Sequence, residues 1–233
     1  MEYKVVKEPF GLLEVTLNRS EKMTAEAGSF VYMKGNIQIK TKTREGGLFQ
    51  KFKLKALGRE SFFVNEYEAQ EDGCQIGLTG QTIGDIFTLS LGQEEGLILQ
   101  SGAYIASTPG VMLDTEWQGF TKGIFGSSLF MLKVSGQGKL FANVYGGIIK
   151  RELGSADRIS IDNYHLVAMS SNADYEIKKF GGLKSTILGG EGLVTEVTGP
   201  GIVYLQSKNI MELVSYLGLY TKSSGSSLEF KMG

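Results

Sequence analysis

The sequence predicts an all-β protein of repeated antiparallel sandwich or double-stranded β-helix units with one short helix near the C-terminus, and three observations carry that expectation. Apolar and polar residues alternate with period two in many short runs, as half-buried strands require. The 233 residues hold 32 glycines against 3 prolines, which suits many tight turns rather than long helices or disorder. Stretches far apart in the chain can also be laid over one another.

Taken in order, Leu13, Val15 and Leu17 alternate with Glu14, Thr16 and Asn18, and a turn follows at Arg19 to Lys22. Phe30 to Met33 reads as a strand, Gly35-Asn36 as a turn, and Ile37 and Ile39 resume the alternation. A shift of 74 residues sets Gly28-Ser29-Phe30-Val31 on Gly102-Ala103-Tyr104-Ile105, with Leu17 on Leu91 and Met23 on Leu97. A further shift of 62 sets Tyr104-Ile105-Ala106 on Leu166-Val167-Ala168, which follow a turn at Asp162-Asn163-Tyr164.

The downstream halves agree. Gly46-Gly47-Leu48 precedes Gly58-Arg59-Glu60 and Phe62-Phe63-Val64, as Gly181-Gly182-Leu183 precedes Gly190-Glu191-Gly192 and Leu193-Val194. The middle stretch has Gly126, Gly136-Gln137-Gly138 and Leu140 to Tyr145. These alignments divide the chain into β repeats at 1–72, 73–147 and 148–207, then a short helix and flexible tail at 208–233.

Two places carry a helical pattern. Leu48, Phe49, Phe52, Lys55 and Ala56 form one short basic turn, and Ile210, Leu213, Val214 and Leu217 follow the i, i+3, i+4, i+7 spacing behind Ser207 or Asn209 as a cap. The second is expected to end at Gly218, before the flexible stretch Ser223 to Ser227.

A formal net charge of −1 conceals two blocks. Lys34 to Lys55 carries seven basic residues and one acid, whereas Glu60 to Thr121 carries ten acids and no Lys or Arg. Such blocks either attract a partner of opposite charge or pair with each other inside one fold. Lys40, Lys42 and Arg44 alternate with threonines on one face of an extended strand, and Lys51, Lys53 and Lys55 have the same spacing around Phe52 and Leu54. A strip of this kind suits a single-stranded nucleic acid or an anionic membrane surface, the latter at ~1 kcal/mol per cation. A sequence pI near 6.0 argues against a dedicated nucleic-acid binder.

His165 is the only histidine and Cys74 the only cysteine, so clustered His/Cys metal sites and an intrachain disulfide are excluded by count. His165 reads as a partly buried strand residue in NYHLVAM, and no G-x-S-x-G elbow accompanies it. Neither G-x-G-x-x-G nor G-x-x-x-x-G-K-[ST] occurs. Glu191, held between two glycines, is the acid to watch, with an exposed turn as its alternative reading. No catalytic residue, metal ligand or cofactor site is therefore expected. The absence of an apolar stretch of about 18 residues argues against a signal peptide or spanning helix, and a cytoplasmic location is expected.

Together, AGSFVYMKGNI, GRESFFVN, GQGKLFANVYG, IDNYHLVAM and GGEGLVTEVTGPGIVYLQS resemble the mitochondrial biogenesis family, first found through altered inheritance of mitochondria. The resemblance runs from about Leu12 to Ser207, and the tail after about Leu217 has no counterpart. It implies a fold similar to the tryptophan RNA-binding attenuator protein and a homotrimer. Fungal relatives are associated with the mitochondrial inner membrane; the lack of an Arg-rich leader keeps that location from carrying over. No catalytic residues transfer with the resemblance. The expected function is that of a non-enzymatic oligomeric scaffold or protein-interaction module, its protein partners unspecified. The alternative is a module binding RNA or an anionic membrane surface through the basic strip.

Overall fold

The computed structural model describes residues 1–6, 10–42, 64–92, 96–114, 131–179 and 193–221. Seven strands come first: β1 (Glu2–Val6), β2 (Leu12–Leu17), β3 (Lys22–Glu26), β4 (Phe30–Lys34), β5 (Ile37–Lys42), β6 (Val64–Ala69) and β7 (Cys74–Leu78). Six follow: β8 (Ile86–Leu91), β9 (Leu97–Gln100), β10 (Tyr104–Ser107), β11 (Val111–Asp114), β12 (Met131–Gly136) and β13 (Gly138–Asn143). The last six are β14 (Ile148–Leu153), β15 (Arg158–Asp162), β16 (Leu166–Ser170), β17 (Asp174–Lys179), β18 (Leu193–Thr198) and β19 (Gly201–Gln206), and helix α1 (Ile210–Thr221) ends the described chain. Among the described residues the protein is all-β apart from this helix and two short 3-10 turns.

One set of antiparallel pairings is met three times in chain order. β2 pairs with β7, β8 with β13 and β14 with β19, while β4, β10 and β16 lie on the other side of those same partners. Likewise β6, β12 and β18 each lie between two strands of their own set, β3 and β5, β9 and β11, β15 and β17. Two further pairings, β3 with β10 and β9 with β16, join one set to the next. Four sheets result, in the orders β1-β2-β7-β4, β5-β6-β3-β10-β13-β8, β11-β12-β9-β16-β19-β14 and β15-β18-β17.

Local sequence explains the simple strands. In β2 the alternation buries Leu13, Val15 and Leu17 and leaves Leu12, Glu14 and Thr16 half-exposed, and β3 buries Met23 and Ala25 in the same way. β9 and β10 are buried along their whole length, because both faces of the middle sheets are covered. Register shifts fall between Phe30 and Tyr32, Tyr104 and Ala106, and Leu166 and Ala168. The extra residue of a bulge turns successive side chains to different faces. Tyr104 accordingly enters one core, while Ile105 and Ala106 enter another.

Three apolar cores lie between successive sheets. The first joins Leu13, Val15, Ile76 and Leu78 of the first sheet to Tyr67, Ile105 and Phe141 of the second. The second core joins Leu89, Tyr104 and Leu140 to Leu99, Leu132 and Val134 of the third sheet. The third joins Ile98, Leu166 and Met169 to Ile161 and Val197 of the fourth.

The helix differs from the sequence expectation at one end. α1 continues through Gly218 to Thr221, since a single glycine costs a helix only about 1 kcal/mol and does not force a stop. The other expected helix, at Leu48 to Ala56, lies outside the described residues, as does Ser223 to Ser227. Phe141 is fully buried where the first two sheets meet, and Tyr3 packs edge-on against it at 5.2 Å. Phe141→Ala is expected to lower stability by about 3–5 kcal/mol in equilibrium denaturant unfolding.

Candidate functional site

The exposed surface departs from an ordinary one at β4. β10 and β16 are central strands, whereas β4 ends its sheet and pairs only with β7 among the described strands. Val31 is 49% exposed, while Ile105 and Val167, which occupy the same place in their bulges, are 0% exposed. Phe30 and Met33 flank it at 44% and 43% exposed. Large apolar side chains exposed along an open strand edge are what soluble monomers avoid.

Tyr32 belongs to the same strand but is held back. Its ring lies over Gly77 of β7, where a Cβ would come within 2.3 Å of the ring. The hydroxyl donates to the Glu14 carboxylate at 2.8 Å, and that bond holds the phenol above its ordinary pKa. Phe30 stacks on Tyr67 at 6.4 Å between centroids. The edge is thus preorganised by packing beneath it.

β15 is one of the two outer strands of the last sheet. It pairs with β18 on one side and with no described strand on the other. Its sequence, RISID, buries Ile161 and leaves Arg158 and Ser160 exposed. Beside it a shallow open depression is lined by Arg158, Asp174, Tyr175, Glu176, Glu196 and Thr198. There Lys178 Nζ donates to Glu196 at 2.9 Å, and Arg158 stands 4.0 Å from the same carboxylate. The lysine hydrogen bond holds the Glu196 carboxyl below its ordinary value, and Lys178 is raised in return.

The residues singled out from sequence lie elsewhere. Lys40 on β5 reaches Glu68 at 3.5 Å, and Lys22 stands 3.2 Å from Glu68 and 3.7 Å from Glu66, so basic and acidic segments meet within one sheet. Lys42 closes β5. Arg44, Lys51, Lys53, Lys55 and Glu191 lie outside the described residues. Cys74 is buried, with its Sγ 3.4 Å from the carbonyls of Asn36 and Glu71. Among the described residues no group of three or more His, Cys, Asp or Glu side chains could hold a metal ion, and no helix is long and apolar enough to cross a membrane.

His165 closes a 3-10 turn, Asn163–His165, rather than sitting within a strand, and it anchors α1. Its Nδ1–H donates to the Gln206 carbonyl at 2.7 Å, which leaves Nε2 to accept from Asn209 at 3.2 Å. The Asn209 side-chain oxygen in turn accepts from the Glu212 amide at 2.8 Å, capping the helix. α1 leaves Val214, Leu217 and Leu219 exposed.

Reading for side-chain chemistry passed over the two edges. A signal for one of them was present: Phe30-Val31-Tyr32-Met33 is a run of four apolar residues, which suits a strand covered on both faces. Nothing in RISID marks β15 as an edge.

The mitochondrial biogenesis AIM24 family model matches residues 3–208, which takes in all nineteen strands except the first residue of β1. The chain belongs to the AIM24 family. The match stops just before α1, so the helix lies outside the AIM24 region. The uncharacterized protein M6_Spy0233 of Streptococcus pyogenes serotype M6 is 32% identical over 222 residues, covering 92% of this chain and 88% of that protein. The crystal structure of protein SPYM3_0169 from Streptococcus pyogenes is similar at 30% identity and a TM-score of 0.76, covering 94% of this chain and 99% of that one.

Two outcomes are expected from the polar anchors. Asn209→Ala removes the cap of α1 and should destabilise the helix by about 1 kcal/mol, seen as faster amide exchange over 210–221 with the sheets unchanged. Glu68 and Glu196 titrate below the ordinary value of 4.5 when folded, so their stabilisation is complete above that value and is lost as pH falls through the folded values. The unfolding temperature should therefore drop on the acid side of about 4.5, and Glu196→Gln should make that drop shallower.

Proposed function

We propose that this AIM24 protein is a non-enzymatic structural subunit that assembles with copies of itself into a closed β scaffold, a homotrimer, on which other proteins can dock. The observation that supports this reading is the open apolar edge of β4, where Val31 is half-exposed although its counterparts Ile105 and Val167 are buried. Burying Phe30, Val31 and Met33 against another strand would satisfy the free backbone groups of the edge and remove apolar surface from water. Backbone pairing between chains needs no catalytic side chain, and assembly of this kind is compatible with the mixed, largely self-paired charges at Lys22, Lys40, Glu66 and Glu68.

Light scattering coupled to size exclusion, at low and high salt and with nucleic-acid absorbance followed on the same peak, tests the reading. The expected result is an oligomer free of nucleic acid whose mass is unchanged by salt, since buried apolar contacts and backbone bonds are little screened. A monomer at every accessible concentration would sink it. A peak carrying nucleic acid that dissociates as salt rises would instead assign the function to the strip containing Lys40 and Lys42.

A further inference from the structure

The two junctions between sets obey one rule, and among the described strands β4 and β15 are the places where that rule is left unfinished. In each junction the second strand of one set pairs with the third strand of the next. β3 meets β10 with Ala25 opposite Ala106 and Thr24 opposite Ser107. β9 meets β16 with Leu99 opposite Ala168, Ile98 opposite Met169 and Leu97 opposite Ser170. β4 is the third strand of the first set and has no set before it; β15 is the second strand of the last set and has none after it.

The register of the missing junction follows from the ladders already present. Tyr32, Ala106 and Ala168 each come directly after the bulge, and Ile39, Leu113 and Tyr175 each lie seven residues further on. Those three oppose Tyr67, Val134 and Val197, which oppose Met23, Leu97 and Ile159 on their other side. Ile159 is therefore the counterpart of Leu97, and Leu97 stands opposite the residue two beyond Ala168. The equivalent of that residue in β4 is Lys34.

Packing makes the same match independently. The first core is completed from the second set by Ile86, Ile105, Ala106 and Phe141. The second core is completed from the third set by Val167 and Ala168, with Ile148 and Tyr204 packed against it. Among the described residues the third core receives nothing of the kind and is the smallest of the three. The corresponding residues of the first set are Leu12, Val31, Tyr32 and Gly77, and among the described residues they belong to none of the three cores. Their sizes are complementary in the same way. Ala106 opposes Phe141 and Ala168 opposes Tyr204, while in the first set the aromatic has changed strands, with Tyr32 opposite Gly77.

We propose that β4 of one copy pairs antiparallel with β15 of the next copy, with Tyr32 opposite Ile161, Met33 opposite Ser160 and Lys34 opposite Ile159. The first and fourth sheets of neighbouring molecules then merge into one sheet of order β17-β18-β15-β4-β7-β2-β1, which repeats the strand order of the two middle sheets and adds β1. Val31 and Tyr32 complete the third core of the neighbour. The contact is heterologous, head to tail, so it propagates until the chain of subunits closes on itself. This inference rests on the oligomeric reading above and adds the surfaces and the register to it.

Cysteine pairs test the register, because directly opposed antiparallel residues have Cα atoms about 4.5–5.5 Å apart, within disulfide range, and diagonal neighbours do not. Met33→Cys with Ser160→Cys should give covalent dimers and higher species on mild oxidation, with the 33–160 link identified by peptide mapping. Met33→Cys with Arg158→Cys, and either Met33→Cys or Ser160→Cys alone, should give none. Val31→Asp replaces a half-exposed residue, so the subunit should stay folded by circular dichroism while the mass by light scattering falls to that of a monomer. A wild-type oligomer that neither forms the 33–160 link nor responds to Val31→Asp would overturn this junction and leave the oligomeric reading standing. A wild-type protein that is monomeric throughout would overturn both and assign the β4 edge to a strand of a different protein.

Discussion

The structure depends on strand pairing across set boundaries. Within a set, six short strands make two three-stranded half-sheets, and a half-sheet gains stability only when an apolar face is covered. The β3–β10 and β9–β16 ladders turn half-sheets into six-stranded sheets whose two faces both carry cores. The bulges at Val31, Ile105 and Val167 make this workable, since an unbroken alternation could not direct Tyr104 into one core and Ile105 and Ala106 into the neighbouring one.

Buried polar side chains tie the ends of strands in the two middle sheets to the turns beside them. Asn143 is buried and accepts from the Thr82 amide at 2.9 Å while donating to the Asp85 carbonyl at 3.1 Å, which ties the segment before β8 to the end of β13. Gln206, at the corresponding end of β19, accepts from the Tyr145 amide at 2.9 Å and donates to the Tyr164 carbonyl at 2.7 Å. His165 and Asn209 extend the same network to α1. Each of these side chains satisfies backbone groups that strand pairing leaves over at a turn, which is the usual role of a buried amide. The ion pairs lie outside, on exposed rows such as Lys22–Glu68 and Lys178–Glu196, where they trim local stability and do not define the fold.

An AIM24 chain of this form offers backbone edges and apolar strips more readily than reactive side chains. The edges at β4 and β15 differ in character: β4 is apolar and exposed, while β15 is polar on its outer face and has Ile161 buried beneath. A self-complementary edge would pair with its own copy and stop at a two-fold dimer, whereas two unlike edges would pair head to tail and extend until the subunits close on themselves.

Much of the fold was legible in residues with short-range consequences. Period-two runs such as Leu13-Val15-Leu17 marked strands, because a pleated strand puts alternate side chains on one face whatever lies beyond it. The apolar spacing behind Ser207 or Asn209 marked α1, since capping is local, and the structure selects Asn209 as the cap and carries the helix on to Thr221. Placing Phe30-Val31 on Tyr104-Ile105 and Leu166-Val167 located three strand starts that each contain a bulge. The edges were a different matter. β4, β10 and β16 are all apolar strands, and nothing in FVYM, YIAS or LVAMS says which of them is covered. That depends on whether another strand of the chain reaches it, a long-range property set by the order of sets along the chain and by where the chain begins and stops pairing. Side-chain patterns report what a residue prefers to touch; the backbone bonds of a sheet edge are the same for every sequence, so only the assembled sheets reveal which edges are left open.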